Sequence, residues 1–436
     1  MLSESLGQVV EIIINYGWLI FLGLIFVVFS EFWMVRIVTK YIDSLEWILL
    51  EIKIPKDNIK STQSMEQVFA TVYGIYSFGL KPWEKYVEGK VESWLSFEMT
   101  GDIDGVHFYV RTPKKHKNLV ETAFFSQYPA VELDEAEDYT KSLPSILPNA
   151  EYEVFGTDII LAREDPYPIK TYIDFGNENQ NVKEEEDKVD PVAVITEAIS
   201  KLKPGERVWL QLLVRPADPE WAKKAKALIE EEAGKRQKVQ KKGVVAGAGE
   251  FLGNLASAPV ILPEWSEGSD KQQTVFRLYT PGEQDKLKAM SRKASKRAFD
   301  SIYRFVYIDK KEDYTGENVE SVIGAIQQFA TLDLNFFKPN TKTFTKKTTV
   351  SKWPWMRTKR LAERKQQIYQ AYINREIPQP FIPRKFRLDI KTSILNIEEL
   401  ASIYHPPTIS VRAPQLRPSG SRKSEPPVNL PIKRIQ

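Results

Sequence analysis

The sequence has 436 residues, and its 42% apolar, 11% aromatic and 27% charged content excludes a disordered chain and suits about two or three domains. Lys and Arg number 61 against 58 Asp and Glu, so the net charge of +3 argues for no particular partner. The absence of cysteine excludes disulfides, thiolate metal sites and thiol nucleophiles, and the 3 histidines (His107, His116, His405) are too few and scattered for a histidine metal cluster.

From Ile12 to Ser30 no residue is charged. At about 1.5 Å per helical residue this run matches a hydrocarbon core of about 30 Å. Trp18 and Trp33 stand near its ends, where amphipathic rings favour the interface. Glu4 and Glu11 precede it and Glu31 follows, which disfavours a cleaved signal peptide, and the missing polar face disfavours a buried core helix. The expectation is a membrane anchor over 1–36, with Trp18, Phe21, Leu22, Phe26 and Trp33 facing lipid. Arg36, Lys40, Lys53 and Lys56 follow the span and nothing basic precedes it. The positive-inside rule then sets the N-terminus outside and the body in the cytoplasm.

Residues 37–54 keep apolar side chains at helical spacing and read as an amphipathic helix, on the bilayer surface or packed on the body. With a second helical run over 65–80 they form a juxtamembrane region, 37–90. The body beyond is expected to be α+β. Strands are predicted over 93–99 and 106–111, a helix over 114–125 and a third strand over 130–136. Further on come strands over 207–215 and 301–309, each followed by a helix, over 221–233 and 318–330. This order predicts two ferredoxin-like (β-hairpin/α/β) modules, 91–175 and 190–340. Residues 177–188 read as a charged linker and 234–270 as a loop insertion. Residues 341–405 read as a basic helical segment ending in a docking helix, and 406–436 as a Pro-rich, extended tail.

No phosphate-cradling G-x-x-x-x-G-K-[ST], H-E-x-x-H, G-x-S-x-G or C-x-x-C occurs. The glycine-rich stretch 243–253 lacks the Lys-Ser/Thr that a nucleotide loop needs. The acidic group Glu132, Asp134, Glu135, Glu137 and Asp138 reads as a solvated strand edge, with a cation site as the sharper alternative. Lys346, Lys347, Lys359, Arg360 and Arg364 lie among Trp353, Trp355, Tyr369 and Tyr372. That mixture suits nucleic-acid phosphates with base stacking, anionic lipid headgroups, or a solvated helix face.

The order of short motifs is recognisable: Ser96-Phe97-Glu98, Phe108-Tyr109-Val110-Arg111-Thr112-Pro113, Gln127-Tyr128-Pro129, Glu137-Asp138-Tyr139 and Tyr167-Pro168-Ile169-Lys170-Thr171-Tyr172. It continues through Asp190-Pro191, Pro204-Gly205-Glu206, Leu395-Asn396-Ile397-Glu398-Glu399-Leu400-Ala401, His405-Pro406 and Pro426-Pro427-Val428-Asn429-Leu430-Pro431. From about residue 70 onward the chain resembles an uncharacterised membrane-protein family of candidate-phyla (Patescibacteria) bacteria linked to type IV secretion or conjugation. The tail is similar to the segment leading into the motor of FtsK/HerA-like transfer ATPases. The resemblance implies a non-enzymatic, membrane-anchored platform, expected to be a homo-oligomer, for a separately encoded ATPase. It implies no catalytic residue and no cofactor. Docking would fall to Leu395, Asn396, Glu398, Glu399, Leu400 and His405, on a short helix capped by Ser393. The alternative is a membrane-tethered nucleic-acid-binding protein with no dedicated motor, and an enzyme of unknown type is the third reading. Membrane lipid, the ATPase and DNA are the expected partners.

Overall fold

The computed structural model describes residues 2–53, 61–178, 190–234, 279–350, 353–379 and 388–407. Most of the predicted linker 177–188, the loop 234–270 with its glycine-rich stretch, Lys56, and the tail from residue 408 lie outside these.

Helix α1 spans Leu2–Asp43. Its stretch Phe21–Asp43 is long and apolar enough to cross a membrane. Strand β1 follows at Trp47–Lys53, then α2 at Thr62–Val72 and the short helix α3 at Pro82–Tyr86. Strands β2 (Leu95–Asp102) and β3 (Gly105–Pro113) form a hairpin. Its turn is closed by Asp102, whose carboxylate accepts from the Asp104 amide at 2.8 Å, and by Gly105, which takes a φ of 127° open mainly to glycine. Helix α4 (Lys117–Gln127) and strand β4 (Glu132–Glu135) complete a first half. The second half runs through β5 (Tyr152–Leu161), α5 (Tyr172–Glu178), α6 (Ala193–Ser200) and β6 (Arg207–Pro216). It continues with β7 (Ala298–Lys310), α9 (Glu317–Gln327) and β8 (Phe337–Pro339). Helix α10 (Arg357–Ile373), strand β9 (Ser393–Asn396) and α11 (Ile397–Ile403) close the body. The excursion between β6 and β7 is a separate unit, Pro219–Ser295. It holds helices α7 (Glu220–Glu232) and α8 (Pro281–Ser295), joined by an ion pair of 2.7 Å between Lys286 and Glu232.

The nine strands form one antiparallel sheet in the order β4-β1-β3-β2-β6-β7-β5-β8, with β9 beside β7. Each half runs strand, helix, hairpin or paired strands, helix, strand, and in each the first strand lies between the fourth and third. The halves meet where β2 pairs with β6. One sheet therefore replaces two separately closed modules, because hydrogen bonding between β2 and β6 satisfies an edge that each half would otherwise expose.

Residues 47–53, read above as the end of an amphipathic helix, are strand β1. The alternation of Ile48, Leu50 and Ile52 fits a strand as well as a helix. The open edge of β3 decides, because β1 pairs with it from Trp47 to Glu51 and with β4 from Leu50 to Lys53. The first half thus begins near residue 47 rather than 91.

The sheet is covered on both faces. On one, Met65, Val68, Phe69 and Val72 of α2 repeat at helical spacing, and so do Val319, Val322 and Ile326 of α9. They join Phe97, Val110, Leu212 and Phe305 of the sheet in the main core. The other face carries α10 through Tyr369 and Tyr372 against Trp209 and Val306, and the last turns of α1 through Met34, Ile37 and Val38 against Trp94, Leu213 and Ile302. Gly156 of β5 is the crossing point of α10, for a Cβ there would stand 2.7 Å from Ile368.

Candidate functional site

The α10 face contains a row of polar side chains set by strand register alone. Glu98 on β2 faces Gln211 on β6, Gln211 faces Arg304 on β7, and Arg304 faces Asp158 on β5. All four are fully buried. Alternation puts them on the face away from the main core, and α10 shuts them from water. Buried charge is costly unless paired, and here it is paired. Arg304 Nε donates to Asp158 at 2.7 Å and its Nη1 to the Ala371 carbonyl at 2.7 Å. Gln211 Nε2 donates to Glu98 at 3.2 Å and to the Tyr372 carbonyl at 3.1 Å.

Arg375, just beyond α10, completes the row from above. Its Nε and Nη2 donate to the two oxygens of Glu98 at 3.0 Å each, and its Nη1 and Nη2 reach Asp138 at 2.6 and 2.9 Å. Its backbone holds a φ of 49°, sparsely populated by any side chain with a Cβ, which turns the guanidinium back under the helix. The Tyr139 hydroxyl donates to Glu98 at 2.7 Å and lies 2.7 Å from the Tyr372 hydroxyl. Burial pushes the Glu98 carboxyl up, but Arg375, Ser96 and Tyr139 together pull harder and its net shift is downward. Asp138 behaves alike, with burial opposed by Arg375 and Thr140. Asp158 goes the other way: burial raises it in spite of Arg304.

The second polar cluster lies at α11. Lys296 bridges Glu66 at 2.6 Å and Glu398 at 2.8 Å. Thr171 donates to Glu398 at 2.6 Å, and Tyr172 donates to Glu66 at 2.7 Å. His405 Nε2 lies 2.8 Å from Asp190 and 3.5 Å from the Thr62 hydroxyl, while Nδ1 faces the Ala401 carbonyl. A nucleophile relay needs carboxylate and hydroxyl on opposite ring nitrogens, so this arrangement is a tie between segments. Among the described residues no group of three or more His, Cys, Asp or Glu side chains is arranged to hold a metal ion.

The sequence-derived docking residues belong to this interior. Leu395, Asn396, Glu398, Glu399, Leu400 and His405 are all buried. Glu399 accepts from the Ile169 amide at 3.0 Å and the Asn396 amide at 2.9 Å, so the segment docks on its own chain rather than presenting a surface. The helix cap is Asn396 instead of Ser393. Asn396 accepts from the Glu399 amide at 2.8 Å in a reciprocal capping box, and Ser393 begins β9.

The basic segment divides. Lys346, Lys347, Lys359 and Arg360 are exposed, as are Trp353 and Trp355, whose rings lie 5.0 Å apart. Arg364 instead donates to the Thr341 and Phe344 carbonyls at 3.2 and 3.1 Å. Tyr369 and Tyr372 are buried against Trp209 and are unavailable for base stacking, because they form the apolar stripe of α10. The acidic group is split likewise: Asp134 pairs with Lys53 at 2.8 Å, Glu135 with Lys117, and Asp138 with Arg375.

The expected lipid-facing residues Trp18, Phe21, Leu22, Phe26 and Trp33 are all exposed. One side of the helix leaves the exposed stretch at Met34, Ile37 and Val38, which are buried in the body, while Arg36 and Lys40 on the other side stay exposed. Gly89 sets the contact. Its φ is 70°, and a Cβ there would lie 2.5 Å from the Ile37 carbonyl carbon and 2.8 Å from the Val38 nitrogen. Trp33 Nε1 donates to the Tyr86 carbonyl at 3.1 Å.

Fold and site together define an α+β protein with one long apolar N-terminal helix seated by its last turns on a nine-stranded sheet. Residues 42–417 match the family described as Domain of unknown function (DUF8128), and the chain belongs to that family. Comparison with curated proteins finds no match.

Proposed function

We propose that the protein is a single-span membrane component whose body is a non-enzymatic cytoplasmic platform, two ferredoxin-like modules joined edge to edge, in a type IV secretion-like or conjugative transfer system. One observation carries the reading of a mount. The apolar helix does not end in a linker but runs into the body, where Met34, Ile37 and Val38 pack with Trp94, Leu213 and Ile302. A tether needs only a flexible joint, whereas a seated helix transmits position. The local strand order, first strand between fourth and third in each half, supports the ferredoxin-like description. The basic residues Arg36 and Lys40, beyond the uncharged run Ile12–Ser30, support a cytoplasmic body and an external N-terminus. The resemblance to the Patescibacteria family supplies the FtsK/HerA-like ATPase as partner.

With Leu395–His405 in the core, docking to such an ATPase passes to the Pro-rich residues 408–436. Affinity capture of the tagged protein from its native membrane should recover a transfer-type ATPase, identified by mass spectrometry, and deletion of 408–436 should abolish recovery. Capture without any such ATPase overturns the reading.

The exposed Trp353 and Trp355 beside Lys346, Lys347, Lys359 and Arg360 favour a second reading, membrane-tethered nucleic-acid binding. Changing those four cations to Ala should then flatten the salt dependence of DNA binding. Wild-type binding that ignores salt would dismiss it.

A further inference from the structure

The segment beside α1's exit from its exposed stretch is itself amphipathic. Helix α3 buries none of its residues. Trp83 is 64% exposed, Tyr86 50% and Val87 40%, and Phe78, shortly before the helix, is 88% exposed. A water-facing surface gains nothing from so many large apolar groups on one short segment. The Trp33–Tyr86 hydrogen bond and the close approach of Gly89 to Ile37 fix this segment at the level where α1 turns from exposed to buried. Cations share the level. Lys81 and Lys85 sit on α3 and its cap, with Lys85 Nζ 5.1 Å from the Tyr86 ring centre, and Arg36 and Lys40 are exposed on the next turns of α1.

We propose that α3 is a second membrane contact, a shoulder whose Trp83, Tyr86 and Val87 enter the phospholipid headgroup layer next to α1 while its lysines meet anionic headgroups. The inference rests on the membrane reading of α1. Two arguments select lipid over a protein partner. The apolar side chains adjoin the exposed stretch of α1 where Trp33 is hydrogen-bonded to the Tyr86 carbonyl, and indole, phenol and lysine together are the mixture the interface favours. The acidic groups of the segment, Glu84 and Glu88, both pair with Lys90 at 3.1 and 2.9 Å, and Lys81, Lys85, Arg36 and Lys40 complement a negatively charged leaflet. The contact gives the body a second point of support, so that the molecule cannot swivel about α1.

The chain has no cysteine, so single reporters need no background removal. Nitroxide labels at Trp83→Cys and Val87→Cys, with Phe26→Cys as the deep reference and Leu332→Cys (97% exposed) as the aqueous one, would be compared in the full chain in phosphatidylcholine–phosphatidylglycerol vesicles. The ratio of accessibility to oxygen over a water-soluble nickel chelate should rise several-fold at Trp83→Cys and Val87→Cys above Leu332→Cys, and stay below Phe26→Cys. If both read as Leu332→Cys does while Phe26→Cys is deep, the shoulder is wrong and the anchor stands. If Phe26→Cys is also aqueous, the anchor fails and the shoulder with it. Exclusion of both probes, with spin coupling between molecules, would make α3 an interface between copies and overturn the lipid contact.

Discussion

Glu98 is shut away from water, and Arg375, Ser96, Tyr139 and Gln211 replace its hydration. Removing one member of such a set leaves the others buried without a counter-charge. Glu98→Ala should therefore destabilise the body by about 3–5 kcal/mol. The double change Glu98→Leu with Arg375→Met should cost clearly less than the sum of the two single changes, because neither member of that pair is left as a fully buried charge facing an empty place, and only the partly exposed Asp138 loses a partner. Urea unfolding followed by tryptophan fluorescence measures both, and a fully additive result would refute the coupling. Acid response follows from direction. Glu98 and Asp138 are held below the ordinary carboxyl range in the folded chain, so their stabilisation is complete above about pH 5, where the unfolded carboxyls are ionised, and is lost as pH falls through their lowered values. Asp158, raised by burial, works in the opposite sense and gains from acid. Glu98→Gln should accordingly flatten the acid limb of a melting-temperature profile, and an unchanged limb would count against the network. Glu98 stands in a short motif legible in the sequence. Ser96 and Tyr139 stand in such motifs too, but the rest of the row does not, for Gln211, Arg304 and Asp158 line up with Glu98 only through the pairing of four strands.

At the scale of elements, α11 shows how a locally correct signal can carry the wrong purpose. The run from Leu395 to Ala401 reads correctly as a capped helix, but the cap is Asn396 and the helix is interior. Asn396→Ala should cost about 1–2 kcal/mol, the upper part of the usual range for an N-cap because the site is buried, while Asn396→Asp should retain most of that stability. Denaturation of the two variants checks this, and equal stability of Asn396→Ala and wild type would contradict the capping box. Strand β1 makes the complementary point. Residues 47–53 satisfy helical and strand periodicity alike, and only the waiting edges of β3 and β4 choose between them.

At the scale of the whole molecule, the last turns of α1 are part of the body's own core. Gly89 is the test of that union, since any Cβ meets the α1 backbone and the φ of 70° is itself unfavourable for other residues. Gly89→Ala should unseat the helix end while leaving the sheet folded. Trypsin should then cut after Arg36 or Lys40 several-fold faster than in the wild type, with the far-ultraviolet circular dichroism unchanged. Equal cleavage rates would mean that the seating carries little energy.

The sequence by itself determined the apolar N-terminal helix, most strands and helices of the body and the helical basic segment, because each depends on periodicity and composition within a short window. Strands 105–113, 207–216 and 298–310 contain the runs read from alternation and β-branched or aromatic content, and strand 95–102 overlaps the run read over 93–99. Tertiary structure alone decided that the two halves share one sheet, that Glu98, Gln211, Arg304 and Asp158 form a single row, and that Leu395–His405 is interior. Each of these depends on which edges and faces meet across long sequence separations. Hydrophobic pattern says which side of a strand is buried, but not which strand, helix or charge will bury it.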